Sequence, residues 1–163
     1  VYGARSPDPS MTEISQDIPA GRVGAVRDGT RSAPSGFVAR ARDYSGCAVL
    51  HQDFLALDLP PNRFDGIFAN ASLFHVPSCE LPRVLRQLRA ALRPRGVLFS
   101  SNPRGNNEEG FHGDRYGCYW DLESWRAHLT AAGFEELSHY YRPPGLPRDR
   151  QPWLATVWRR PGP

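Results

Sequence analysis

The chain has 163 residues, the size of one domain, and a compact body of that length buries about 70% of the surface its unfolded chain exposes. Its net charge is +3, and all 20 basic residues are arginines scattered among 17 acidic ones with no basic run of five or six, which describes a solvated surface rather than a nucleic-acid face. Cys47, Cys79 and Cys118 form no CxxC pair and their odd number argues against a disulfide scaffold; no apolar run approaches the ~20 residues of a membrane span and residues 1–20 lack a signal-peptide core, so the expectation is a cytoplasmic protein.

Residues 1–20 contain two close prolines, few large apolar residues and no sustained period, which predicts an irregular leader before a domain over 21–163. Residues 21–29 read as a short strand ending at Asp28, although their glycines weaken it. Residues 30–36 are a loop. Two helical turns are expected over 37–44, with Phe37, Val38 and Ala41 on one face. Val49 and Leu50 begin a further strand that leaves through Asp53 and Phe54, followed by a proline-containing loop over 55–62.

Ile67, Phe68 and Ala69 form a brief apolar run after a polar turn, and the chain opens into small and polar residues where that run stops. A buried parallel strand has this pattern. Ser78 is placed to cap a helix over 80–92, in which Leu81, Val84, Leu85, Leu88 and Leu92 share a face and Pro82 sits near the start, where proline is tolerated. A turn at 93–96 and a second apolar strand at 97–101 complete a strand–helix–strand crossover unit. Ligands in such sheets sit at the carboxyl ends of the strands, which directs attention to residues 70–75 and 101–105.

Residues 102–120 are a long irregular stretch containing Phe111, Tyr116, Tyr119 and Trp120, and a loop of this length in a compact domain is usually functional. Asp121 caps the next predicted helix, whose inner face is Leu122, Trp125 and Leu129, with Gly133 just past its end. Residues 136–141 and 153–158 then form two strands, joined by a Pro/Gly-rich link into an antiparallel arm at the sheet edge. The expected fold is α/β, a Rossmann-like open, mostly parallel sheet with a C-terminal antiparallel hairpin, incomplete in its N-terminal half.

Asp65-Gly66 before the central strand, Leu73-Phe74-His75-Val76-Pro77 after it, the helix end Leu92-Arg93-Pro94-Arg95-Gly96-Val97-Leu98, and the later Leu129-Thr130-Ala131-Ala132-Gly133-Phe134-Glu135 together resemble the second half of a class I S-adenosylmethionine-dependent methyltransferase. The resemblance runs from about Cys47 to Arg160. It implies S-adenosyl-L-methionine as cofactor and a small-molecule methyl acceptor. In-line methyl transfer asks the protein mainly to hold donor and acceptor in line, and needs a base only when the acceptor must lose a proton.

Matched to the family, Asp53 is the candidate adenine contact with Phe54 against the ring, set against a turn cap and a core residue; Asp28 is the candidate for the ribose hydroxyls, set against the plainer reading of an Asp-Gly turn residue; and Asn70 and Ala71 match positions that line the cofactor toward the acceptor. His75 is the candidate proton acceptor, set against the plainer reading of a hydrogen-bonded packing histidine. Phe74, Tyr116, Tyr119 and Trp120 are candidates for the acceptor pocket or, equally, covers for the sheet end. The histidines and cysteines show no metal-ligand spacing, and Ser100-Ser101 lacks the elbow motif of a hydrolase nucleophile.

The family's glycine-rich signature is not found: residues 6–20 contain no glycine, and Gly21-Arg22-Val23-Gly24 has no acidic residue or strand before it. Losing two charge-assisted hydrogen bonds, worth about 1.5–3 kcal/mol each, moves a micromolar ligand toward millimolar. The expectation is a methyltransferase-like protein whose first βα unit is lost or rewritten, inactive or truncated if the cofactor no longer binds. The alternatives are a non-catalytic interaction module on the same fold and a nicotinamide-binding domain, which would itself need a glycine-rich turn.

Overall fold

A computed structural model describes the backbone of residues 11–16 and 22–27, residues 40 and 43, and residues 52–162. Asp28, Cys47 and His51, with most of the expected helix over 37–44 and the start of the strand at Val49, lie outside the described residues. The strands are β1 (Met11–Gln16), β2 (Arg22–Arg27), β3 (Gln52–Asp53), β4 (Phe64–Asn70), β5 (Leu92–Pro103), β6 (Glu108–His112), β7 (Arg115–Tyr119), β8 (Glu135–Arg142) and β9 (Trp153–Arg159). The helices α1 (Leu81–Ala91) and α2 (Leu122–Ala131) accompany them among the described residues.

The main ladder runs β4-β5-β9-β8, with β4 and β5 parallel and the remaining pairs antiparallel. This is the predicted crossover unit followed by the predicted C-terminal arm. A second ladder, β1-β2-β3, lies beside it, with Cα atoms of β1 within 8 Å of β4. The result is an open, mixed α/β sheet of Rossmann-like type. Among the described residues no helix is long and apolar enough to cross a membrane.

Packing follows from the helical spacing read in the sequence. Leu81, Val84, Leu85 and Leu88 on α1 are each 0% exposed, and burying each contributes about 1.5–3 kcal/mol. They meet Ile67 and Ala69 of β4 and Leu98 of β5 in one core. Leu92, expected at the helix end, is instead the first residue of β5, still fully buried. It pairs with Phe64 while Val97 pairs with Gly66, so the expected turn at 93–96 is a bulge within the strand, with Arg95 in the left-handed region at φ 67°.

α2 is capped as expected, the Asp121 carboxylate accepting from the Ser124 N–H at 2.7 Å. It ends at Gly133, whose φ of +85° suits a residue without a Cβ and lets the Phe134 N–H reach back to the Leu129 carbonyl at 3.0 Å. Trp125 on its inner face donates to the Thr156 hydroxyl at 3.1 Å, and that hydroxyl bonds Ser100 at 2.8 Å. These buried polar groups satisfy one another across helix, β9 and β5.

Two expectations need correction. Residues 1–20 are not irregular throughout, because Met11–Gln16 forms a strand paired with β2 from Met11↔Arg27 to Gln16↔Arg22. The stretch 102–120 is not a long loop, because Glu108–His112 and Arg115–Tyr119 pair as an antiparallel hairpin. Cα atoms of β1 approach those of β4, although the two strands belong to separate ladders. Only five residues connect β1 to β2. A parallel crossover needs a dozen or more, so the two strands can only meet antiparallel.

Candidate functional site

The apolar run of β4 ends at Asn70, and the chain then turns sharply. Ala71 adopts φ 55°, a left-handed conformation that costs an alanine about 1–3 kcal/mol. Its N–H is fixed by the Ser101 carbonyl of β5 at 2.7 Å. A 3-10 turn, Leu73–His75, follows, anchored by Leu73 and Phe74, which are both buried.

Asn70 and Ser101 are register partners on adjacent parallel strands, so their side chains share a sheet face. Asn70 Oδ1, Ser101 Oγ and the nearby Ser72 Oγ are buried without hydrogen-bond partners, as are Asn102 Oδ1 and the indole N–H of Trp120. An unsatisfied buried polar group costs about 1–3 kcal/mol, and the crossing of β4 and β5 holds two of them in register, at Asn70 and Ser101. The polar run Ser100-Ser101-Asn102 at the end of an apolar strand was the sequence signal for this cluster. Only Asn70 among its acceptors was matched to a role.

The β6–β7 hairpin closes over the turn that follows β4. His75 donates its Nδ1–H to the Tyr116 carbonyl at 2.7 Å, the Ser78 N–H donates to Glu109 Oε1 at 3.0 Å, and the Cys118 thiol donates to the Val76 carbonyl at 3.3 Å. The Tyr116 hydroxyl also donates to Glu109. Gly117 allows the close approach, since a Cβ there would stand 3.0 Å from the Tyr119 ring and 3.1 Å from the Phe74 ring. The aromatic candidates are thereby gathered: Phe74 lies 5.8 Å from Tyr119, and Phe111 5.4 Å from Tyr116, centroid to centroid.

Charge at the hairpin is tightly held. Desolvation pushes the Glu109 carboxyl up, but hydrogen bonds from Ser78 and Tyr116 outweigh it and bring the pKa down to about 2. Burial, with the neighbouring Glu109 charge, pushes the Cys118 thiol up to about 12 and the Tyr116 phenol well above its usual range. Neither is a nucleophile at neutral pH. Trp120 lies apart from this cluster, packed on the core with its ring 4.5 Å from that of His128.

Asp53 ends β3, where its Oδ1 accepts the Leu55 N–H at 2.8 Å and caps the 3-10 turn Phe54–Ala56. Phe54 is 2% exposed and belongs to the core, so of this pair Asp53 is the one with a polar group to offer. It stands in a row with Arg27 of β2 and Met11 of β1. The end of β1 beside Asp53 is therefore its first residue. Where a glycine-rich turn would leave a parallel β1 at this end of the sheet, the chain instead starts an antiparallel strand.

Residues 31–96 match a family model described as a methyltransferase domain. No curated protein matches the sequence significantly. Among solved structures, an S-adenosylmethionine-dependent methyltransferase from Mesorhizobium loti superposes with a TM-score of 0.63 at 18% identity, covering 83% of this chain and 79% of that one. The 1,6-didemethyltoxoflavin-N1-methyltransferase of Burkholderia thailandensis, solved with its substrate and S-adenosylhomocysteine, gives 0.65 at 21% identity over 83% of this chain and 60% of that one. The [4+2]-cyclase SpnF gives 0.60 at 19% identity over 85% and 67%.

Proposed function

From a chain that has the class I S-adenosylmethionine-dependent methyltransferase fold and matches a methyltransferase domain over residues 31–96, we propose an S-adenosylmethionine-dependent methyl transfer to a small-molecule acceptor, carried out in the cytoplasm by the domain over residues 21–163. The observation that carries this reading is the pair of buried, unpartnered polar atoms, Asn70 Oδ1 and Ser101 Oγ, in register where β4 and β5 end. A ligand that completes those hydrogen bonds recovers the free energy they forfeit.

The described residues fit the nucleoside part of the cofactor better than its amino-acid part. Asp53 supplies a carboxylate at the end of β3 and Asn70 an amide at the end of β4. Asp28 is the proposed ribose contact. When bound, S-adenosylmethionine supplies a methyl group already activated by its sulfonium. Asn70 and Ala71 line the approach, while Phe74, Tyr116, Tyr119 and Trp120 are the proposed acceptor wall.

His75 is the proposed proton acceptor, with its Nδ1–H donated to the Tyr116 carbonyl. Titration calorimetry with S-adenosylhomocysteine tests the cofactor reading: saturable binding in the tens of micromolar, weakened about tenfold by Asp53→Asn, is expected. Silence at millimolar ligand would leave the second reading, a non-catalytic interaction module. That reading is favoured by the half-exposed Phe68, Leu137 and Tyr140, which are 41%, 44% and 44% exposed.

A further inference from the structure

β5 and β8 leave the sheet at one edge. β9 is antiparallel to both, and Pro103 of β5 and Arg142 of β8 are register partners of the same residue, Trp153. This is the carboxyl edge of β5, where ligands of open α/β sheets sit. Residues 143–152 join β8 to β9 there, and Arg104 leaves β5 beside them.

Arg104 fastens that link. Its backbone N–H donates to the Pro152 carbonyl at 2.8 Å, its Nε to the Gln151 carbonyl at 2.8 Å and its Nη2 to the Arg148 carbonyl at 2.7 Å. The guanidinium is thereby fixed 6.0 Å from the centre of the Tyr141 ring, and the Arg148 guanidinium lies over the same ring. The ring attracts each cation but has no charge to cancel their mutual repulsion. Among the described residues no carboxylate does so either: Arg104 and Arg148 enter no ion pair, and neither do Arg142 and Arg150 at the same edge. Asp149 is the single acid of the link. On the adjoining segments, Asp121 is committed to Asn107 and the cap of α2, and Glu108 to Asn106.

We propose that Arg104 and Arg148, held on Tyr141 at the carboxyl edge of the sheet, bind an oxyanion, a carboxylate or a phosphate, carried by the methyl acceptor. A guanidinium presents its N–H groups in a planar fork that meets either group with two parallel hydrogen bonds. Arg104 Nη1 and the side-chain donors of Arg148 have no partner among the described residues, so these donors are available to such a group. The identity of the anion's owner rests on the methyl-transfer reading above, whereas the site stands on the two guanidinium groups alone.

The Arg104 Nε–H is hydrogen-bonded and so protected from exchange, which makes it a reporter for nuclear magnetic resonance. Inorganic phosphate and acetate are titrated separately into the full chain at constant ionic strength. The Arg104 signal is expected to shift saturably, with a midpoint of about 1–10 mM, and the tighter probe identifies the acid group of the acceptor. Arg148→Gln, which breaks no side-chain hydrogen bond among the described residues, should raise the midpoint about tenfold. Arg159→Gln, at the opposite edge beside Glu135, should leave it within about twofold. Shifts that grow linearly with either probe, or a midpoint that both variants move alike, mean an adventitious ion only and overturn the site. Calorimetry with S-adenosylhomocysteine keeps the two readings apart. Cofactor binding without saturable anion binding overturns the site alone; saturable anion binding without cofactor binding supports the site and removes a methyl acceptor as the anion's owner.

Discussion

His75 and Tyr116 are joined across 41 positions of sequence by a single hydrogen bond, 2.7 Å from the imidazole Nδ1 to the tyrosine carbonyl. The bond ties the turn after β4 to β7 and orients the ring, which lies 3.8 Å from Phe74. His75→Phe keeps a ring against Phe74 and removes the donor. It should destabilise the fold by about 1 kcal/mol in urea denaturation and speed amide exchange in Arg115–Tyr119 more than in α1. Unchanged exchange in β7 would show that the hairpin is held by its other contacts alone.

Glu109 makes the same latch pH-dependent. Its pKa in the folded chain is about 2 against an ordinary 4.5, so the folded state binds its proton less readily than the unfolded one. The stabilisation is complete above pH 4.5 and is lost as pH falls from there toward 2. Glu109→Gln should therefore lower the melting temperature at pH 7, and the gap from wild type should close between those two values. A gap that stays constant down to pH 2 would mean that the Ser78 and Tyr116 bonds do not depend on the charge.

How much of this could be read from the sequence depends on whether the controlling interaction was local. The face of α1, the Asp121 cap and Gly133 were legible because each follows from spacing or from one residue's conformational preference. The end of β4 at Asn70 was legible because a strand end is a local event. The β6–β7 hairpin was missed, since Gly113 sits in a polar run without alternating apolar flanks and the pairing is secured from outside, by His75, Ser78 and Val76. Strand β1 was missed for a like reason: Met11–Gln16 has little apolar content, and its place comes from β2 and β4. That the Ser101 hydroxyl is buried without a partner could not be read from the sequence, because an unsatisfied hydroxyl is a fact about its neighbours.

The link between α2 and the sheet offers a test of the polar network. Thr156 is 0% exposed, and its hydroxyl serves both the Trp125 indole N–H and the Ser100 hydroxyl. Thr156→Val preserves shape and removes the oxygen, leaving two buried groups without partners. A loss of about 2–4 kcal/mol is expected, near the sum of two unsatisfied polar groups. In Ser100→Ala with Thr156→Val the loss should be smaller than for Thr156→Val alone, because one orphan has been removed with its partner. Additive losses in the double variant would show that Ser100 and Thr156 act independently.

Ile67 and Phe68 are consecutive in β4 yet meet different surroundings, and the contrast tests which face of the sheet the helices cover. Ile67 is 2% exposed in the core with the α1 leucines, so Ile67→Ala should cost about 2–5 kcal/mol through lost burial and an incompletely collapsed cavity. Phe68 is 41% exposed, and its ring is stacked on that of Phe99 with centroids 4.6 Å apart and planes within 6°. Phe68→Ala loses that pairing, worth about 0.5–1.5 kcal/mol, and only part of its burial, so the smaller substitution by volume should be the more damaging one. It should also reduce binding of a hydrophobic dye to the folded protein, because an aromatic pair at a half-open sheet face is the kind of surface such dyes find. Equal losses for the two variants would mean that the Phe68 face is covered in solution as fully as the face that carries α1.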